Sequence, residues 1–489
     1  MTQNESQPIV DIADGRLMGR VKDDVLLFSG IPYAAPPTGD ARFKKASPVE
    51  PWSGILDATR FGPAAPQIPS GGMTDRVPVR WDEDCLTLNV LTPGLGGNPR
   101  PVLVWIHGGA YRSGQGAIPW YNGKSFALQG DIVVVTINYR LGALGFTDLS
   151  SFHSDFETSG VNGLLDQITA LTWVKQHIAA FGGDPNQITI AGESAGGFSV
   201  TSLLGSPKAE GLFHRAIPQS GAAHHTLTPD QGRRVAELLL EETRSERVES
   251  LLDLPAQAIL EAQNRVSARY DKEGLSPGVQ AFYPIAGNNL VLPVPLLQAI
   301  AEGQGAVIPV LTGTNKDEAS LFMLGELTEE AARSSAKNTG GDALFEAYRY
   351  AYPDKSLRDI AIQLSTDFSF KVPAVRLAEL REGTKSSTHL YQFNWESRVS
   401  ALKATHALEI PFTFNVLDAP GVSAFTGQGD LPYDLAQTMH TVWTQFIQGK
   451  ALHWPSYDQS SRKVMHFDTT SVVKDNDFAD LIDLWAGVR

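Results

Sequence analysis

A mostly parallel sheet covered by helices on both faces, an α/β fold, is what this 489-residue sequence predicts. Three observations predict it. Several short runs are apolar at every position, as expected of strands buried on both faces. Stretches with apolar residues at helical spacing separate those runs, and strand–helix alternation implies parallel pairing through helical crossovers. Glycine-rich turns and polar residues follow directly on the strands, at the carboxyl ends where such sheets bind ligands.

In chain order, residues 102–106 (VLVWI) and 132–137 (IVVVTI) are the clearest strands. Apolar residues then recur at Leu164, Leu165, Ile168, Leu171, Val174 and Ile178, a helical pattern that FGGDP at 181–185 closes. Further strands are expected at 188–191, 216–218, 307–312 and 389–393. The polar, helix-prone stretches at about 230–268 and 327–380 read as helical insertions laid over this framework. No repeat or low-complexity linker divides the chain, so 1–489 is expected to form one domain.

Composition narrows the function. At 42% hydrophobic and 9% aromatic, the chain can bury a large core. Its net charge of −14 is spread without long like-charge blocks, which argues against nucleic acid, whose binding needs a basic face. The first seven residues are polar, and no apolar run approaches a membrane span, so neither export nor a membrane is expected. A single cysteine, Cys85, excludes an internal disulfide and reads as a small buried hydrophobe. The expected location is cytoplasmic.

The stretch ITIAGESAGGFS at 188–199 carries the chemistry. A β-branched run breaks at Gly192-Glu193-Ser194-Ala195-Gly196 and a helix-like segment follows, which describes a strand turning sharply into a helix with a serine at the apex. Such a turn leaves little room for side chains two residues either side of the serine. A second match, Gly274-Leu275-Ser276-Pro277-Gly278, is a decoy, since the residue after the serine must donate its N–H to an oxyanion and Pro277 has none. Ser276 is expected in a loop. At other strand ends stand His107-Gly108-Gly109-Ala110, Asn315-Lys316-Asp317-Glu318 and Thr405-His406-Ala407-Leu408-Glu409. Serine, carboxylate and histidine thus occur in the chain order of α/β-hydrolases.

These residues, with GIPYAAPP (30–37), FGPAAPQ (61–67), EDCLTLNV (83–90), WIHGGAY (105–111), NYRLGALGF (138–146), GLLDQ (163–167), TNKDE (314–318), THALEIPF (405–412) and WPSYD (454–458), resemble the type-B carboxylesterases. That family includes bacterial p-nitrobenzyl esterases, carbamate hydrolases and, more distantly, cholinesterases. The resemblance covers most of the chain. It implies an α/β-hydrolase fold with helical insertions around an active-site gorge. It also implies Ser194 as nucleophile, Glu318 as triad acid, His406 as base, and the N–H groups of Gly109, Ala110 and Ala195 as oxyanion donors. Where many relatives have a third glycine stands Ala110, whose methyl narrows the space for bulky alcohols. Where secreted relatives pair the cysteine of EDCL stands Ala65.

Several neighbours share the site's chemistry. Asp317 is the rival of Glu318, and only the resemblance separates them. Glu193 flanks the serine, and Ser220 resembles a serine that supports the triad acid. His107 is expected to shape the oxyanion loop; His224 and His225 stand where relatives often build part of the acyl pocket, and solvated loop residues are the favoured reading. Tyr111, Trp120, Phe198, Phe368, Phe370 and Phe412 are candidate pocket walls, Phe198 and Phe412 equally candidate core. The expected activity is hydrolysis of small to medium esters, with aryl carbamates, amides and phthalate esters as variants. Its partners are a small-molecule ester and water, acting on a monomer or small homo-oligomer without metal or organic cofactor. The alternatives are a non-catalytic binding module of the same fold and a long-chain lipase.

Overall fold

A computed structural model describes residues 7–68, 79–274, 278–287, 289–475 and 478–488. Ser276 and residues 1–6 lie outside the described residues. The main sheet has eleven strands among the described residues: β1 (Arg20–Lys22), β2 (Val25–Pro32), β3 (Thr87–Thr92), β4 (Arg100–Ile106), β5 (Val133–Ile137), β6 (Gly183–Glu193), β7 (Arg215–Gln219), β8 (Val310–Asn315), β9 (Thr388–Phe393), β10 (Val464–Phe467) and β11 (Val472–Lys474). Their spatial order is β1-β2-β3-β5-β4-β6-β7-β8-β9-β10-β11. From β5 to β10 every neighbouring pair is parallel, and antiparallel strands flank that block. A separate three-stranded sheet joins Ile9–Ile12, Gly15–Met18 and Ile55–Asp57.

Strand β4 shows why the apolar runs are unbroken. Val102, Val104 and Ile106 enter one core with Leu164, Leu171 and Val174 of helix α1 (Asn162–His177). Leu103 and Trp105, on the opposite face, enter a second core with Met439, Val442 and Trp443 of a helix at Tyr433–Ile447. With alternate side chains pointing to opposite faces, a strand between two helical layers has no polar face to offer. Cys85 is fully buried in the first core.

The remaining helices follow from their own signals. Helix α2 (Ala195–Leu204) follows β6 directly. Over the first stretch named above lie α3 (Pro229–Thr243), which opens with a capping box from Thr228 and Gln231, and α4 (Ala256–Glu273). Arg42 ties that layer to the rest. Its guanidinium grips Glu83 through two bonds of 2.8 and 2.6 Å, and its third nitrogen donates to the carbonyls of Leu251, Leu252 and Leu254. Over the second stretch run short helices, then α5 (Leu357–Thr366), a π-helical turn at Asp367–Lys371 and α6 (Val372–Leu380). Arg140 and Asp166 form a buried two-bond ion pair of 2.8 and 2.7 Å that fastens the loop after β5 to α1. Among the described residues, no helix is long and apolar enough to cross a membrane.

Two boundaries differ from expectation. The strand expected from residue 307 starts at Val310, and Val307 is 63% exposed. The carbonyls of Ala306 and Ile308 accept from the side chains of Ser386 and Arg381, so ladder pairing begins only afterwards. FGGDP also does more than close a helix. Gly182 stops it at φ +81°, but Asp184 and Pro185 already belong to β6.

Candidate active site

Ser194 sits between β6 and α2 at φ +57°, ψ −124°, a conformation that costs any residue with a Cβ. Both its peptide groups are committed, the N–H to the Gln219 carbonyl at 3.0 Å and the carbonyl to the Phe198 N–H at 2.8 Å. The flanking glycines are required by space. A Cβ on Gly192 would lie 2.5 Å from the Ile106 carbonyl oxygen, and one on Gly196 only 2.0 Å from it. Both clashes are with backbone, which no rotamer change can relieve.

The turn after β4 backs onto this elbow. A Cβ on Gly108 would meet the Glu193 carbonyl at 2.6 Å and the Ser194 Cβ at 3.1 Å. Gly109 and Ala110 follow at φ +110° and +54°. Among the described residues, the N–H groups of Gly109, Ala110 and Ala195 have no acceptor. His107 braces the turn: its Nδ1 donates to the Gly108 carbonyl at 2.9 Å and its ring stacks on Tyr139 at 4.6 Å. Burial pushes its pKa down to about 4, so it is neutral and unsuited to serve as a base near pH 7.

His406 donates from Nδ1 to Glu318 Oε2 at 2.6 Å, while Glu318 Oε1 accepts the Asn315 N–H at 2.7 Å. Asp317, the neighbour, instead accepts from the Ala404 N–H at 3.4 Å, and burial raises its pKa. Side-chain direction thus separates two carboxylates that adjacency in sequence leaves equivalent. The His406 Nε2 lies 3.1 Å from Glu193 Oε1, so the imidazole spans two carboxylates. Among the described residues, no hydrogen bond joins His406 to the Ser194 hydroxyl, although both line one cavity.

A third buried carboxylate completes the group. Glu409 accepts from Gln219 Nε2 at 3.1 Å and from Asn315 Nδ2 at 2.7 Å. Burial pushes its pKa up to about 7, with Glu318 adding to the effect. Burial also holds the Glu193 pKa well above the carboxylate range, against the pull of His406. On His406 burial acts the other way, but Glu193 and Glu318 outweigh it and carry the pKa up to about 9. The sequence motifs assign Glu409 no role, although a lone carboxylate in the apolar run of ALEIPF is a usable signal. Ser220 is buried at φ +45°, and among the described residues its hydroxyl has no partner, so no bond joins it to Glu318.

The cavity measures about 490 Å³ and reaches Ala110, Ser194, Phe198, Phe370 and His406. Tyr111, Phe368, Phe412 and Trp120 do not line it. Tyr111 packs between Phe146 and Tyr283, Phe368 against Trp485, Phe412 against Phe393, and Trp120 against Phe425. Nearness to a motif along the chain does not decide on which side of a wall a ring falls. His225 corrects the solvated-loop expectation: it is buried, lines the cavity and stacks on Phe198 at 3.6 Å and 12°. His224 is half-buried. Tyr283 and Phe322 also line the cavity, and no motif pointed to them. Among the described residues, no group of three His, Cys, Asp or Glu side chains is spaced to hold a metal ion. A hydroxyl, a carboxylate-held imidazole and unpaired N–H donors around one cavity are the parts that acyl transfer requires.

Known proteins resemble the chain over nearly its whole length. The sequence pattern of the Carboxylesterase family matches residues 6–485. The chain is 36% identical over 482 residues to the para-nitrobenzyl esterase of Bacillus subtilis (strain 168), covering 96% of each. It is 34% identical over 475 residues to the phenmedipham hydrolase of Pseudarthrobacter oxydans, covering 92% of this chain and 93% of that one. The crystal structure of a Geobacillus stearothermophilus carboxylesterase at pH 6.2 superposes with a TM-score of 0.87 at 36% identity, covering 98% of this chain and 99% of that one.

Proposed function

The chain belongs to the carboxylesterase family, has the α/β-hydrolase fold and is a carboxylic ester hydrolase, and on that footing we propose which residues perform the reaction and on what. Ser194 Oγ attacks the ester carbonyl while His406 Nε2 takes its proton. The imidazole must first turn from Glu193 towards the serine, a loosening common in enzymes without substrate. The developing oxyanion is met by the N–H groups of Gly109, Ala110 and Ala195, each worth about 3 kcal/mol of barrier in comparable sites. His406 then returns the proton to the leaving alkoxide, and Glu318 holds the tautomer and stabilises the imidazolium without taking the proton. Water repeats the cycle on the acyl-enzyme, releasing the acid.

The single observation that carries this assignment is the 2.6 Å bond from His406 Nδ1 to Glu318 Oε2, made beside the cavity that Ser194 lines. The substrate class we propose is small to medium aromatic esters, with aryl carbamates as the extension. The names of the relatives and the ring-lined cavity support it. Ala110 narrows the alcohol side, so esters of tertiary alcohols are poor substrates. Nothing favours the binding module or the long-chain lipase.

Hydrolysis of p-nitrophenyl acetate, butyrate and octanoate by wild type and Ser194→Ala tests the reading, together with intact-mass labelling by a phosphonofluoridate. Wild type should take one adduct and the variant none, with turnover lower by about 10⁴-fold or more. Near-wild-type turnover in Ser194→Ala would end the proposal.

A further inference from the structure

We propose that the π-helical turn Asp367–Lys371 is the specificity-determining element of this site, presenting Phe370 to a flat aromatic group of the substrate, and that Asp367 is its positioning residue. The proposal rests on the esterase reading above and deepens it.

Between α5 and α6 the chain stays helical, but the Val372 N–H bonds to the carbonyl of Asp367, five residues back. Such turns are rare, cluster at functional sites, and need something to hold them. Here the holding group is the Asp367 carboxylate, fully buried. Tyr348 donates its hydroxyl to it at 2.7 Å, Gln363 its amide at 3.1 Å, and Lys371 stands 3.3 Å away. Trp485, near the end of the chain, donates in turn to the Tyr348 hydroxyl at 2.8 Å.

Rings two residues apart fall on opposite sides of any helix, and the residue added by the π turn sets which of them faces the cavity. Phe368 packs on Trp485 and behind the lining residue Gly278, and Phe370 lines the cavity itself. The Phe370 ring is 4.8 Å from His406 and 6.5 Å from both Phe198 and His225. Those two stack on each other at 3.6 Å, so a ring equally far from both lies beside the pair and not on top of it. The planes agree within 27°. Phe370 therefore extends one aromatic wall from the imidazole to the Phe198–His225 pair, a surface that a planar aromatic group meets better than an alkyl chain. Glu193, Glu318 and Glu409 are the carboxylates that bias His406, so Asp367 acts through the place of Phe370 and not through its charge.

Two substrate pairs test this: phenyl against ethyl butyrate, and vinyl benzoate against vinyl butyrate. For Phe370→Leu, kcat/KM for the aromatic member of one pair should fall about tenfold through KM, with its alkyl partner changed less than about twofold. Tyr348→Phe and Asp367→Asn should move the same ratio in the same direction by about threefold. Should Asp367→Asn not fold, Tyr348→Phe, which keeps the ring and removes only the bonds to Asp367 and from Trp485, carries the test. Aromatic and alkyl members falling together in both pairs, or a lower Tm with unchanged ratios, would mean a merely structural turn and overturn the proposal. Phosphonofluoridate labelling of Ser194 keeps the two readings apart. No adduct on wild type sinks the esterase mechanism, whereas normal labelling with unchanged ratios sinks only this inference.

Discussion

One part of the site is placed by main chain and another by side chains. The sheet-end wall, residues 107–110 and 192–196, is placed by peptide hydrogen bonds and by the absence of Cβ atoms at Gly108, Gly192 and Gly196. The other wall gathers His225, Tyr283, Phe322 and Phe370 from four separate segments and holds them by ring packing and the Asp367 network. The difference separates chemistry from selectivity. Reacting groups need fixed geometry, which a short stretch of backbone supplies, whereas a pocket shape can be changed one ring at a time.

The sharpest way to break that division is Gly196→Ala. Its Cβ would stand 2.0 Å from a backbone oxygen, so the elbow itself must shift, at a cost of about 1–3 kcal/mol of stability or more. Turnover should fall below detection even where the protein folds, as read by p-nitrophenyl butyrate hydrolysis beside a urea melt. A variant with normal kcat would show that the elbow is not held by sterics.

A smaller effect is expected from Glu193→Gln. The neutral imidazole is the working base, so activity rises with pH as His406 loses its proton, whose pKa the neighbouring carboxylates carry up to about 9. Removing the larger of their contributions lowers that pKa, and the acid limb of the kcat/KM profile should move to lower pH by about one unit or more. An unmoved limb would mean that Glu193 carries no charge in the free enzyme.

The smallest effect belongs to Phe322→Ala on the other wall. The ring is 64% exposed and 5.7 Å from His406. Its loss should raise KM for aromatic esters about two- to fivefold with kcat and the pH limb unchanged. A comparable fall in kcat would mean that the two walls are not separable.

The same contrast explains what the sequence made legible. The elbow could be read because its requirement, no Cβ at Gly192 and Gly196, is local and glycine is its only answer. The central strands could be read because burial on both faces leaves unbroken apolar runs. Strand β8 starts three residues after Val307, since that β-branched residue looks like a strand while the carbonyls beside it serve Ser386 and Arg381. Choosing Glu318 over Asp317 required knowing which side chain faces His406. Phe368 and Phe370 could not be told apart, because the π turn that sets which of them faces the cavity is held by Tyr348 and Trp485 from elsewhere in the chain. Glu409 acquires its meaning only from Gln219 and Asn315.

Cys85 has a practical consequence. It is the only thiol in the chain, it is fully buried, and burial pushes its pKa far up, so almost none of it is the reactive thiolate. Maleimides should leave the native protein unmarked. Tyr350, 91% exposed in the helical cover, then offers a place for a second cysteine that alone would accept a dye. A single fluorophore there, without removal of the native cysteine, turns the chain into a spectroscopic ruler between that cover and the chain's tryptophans.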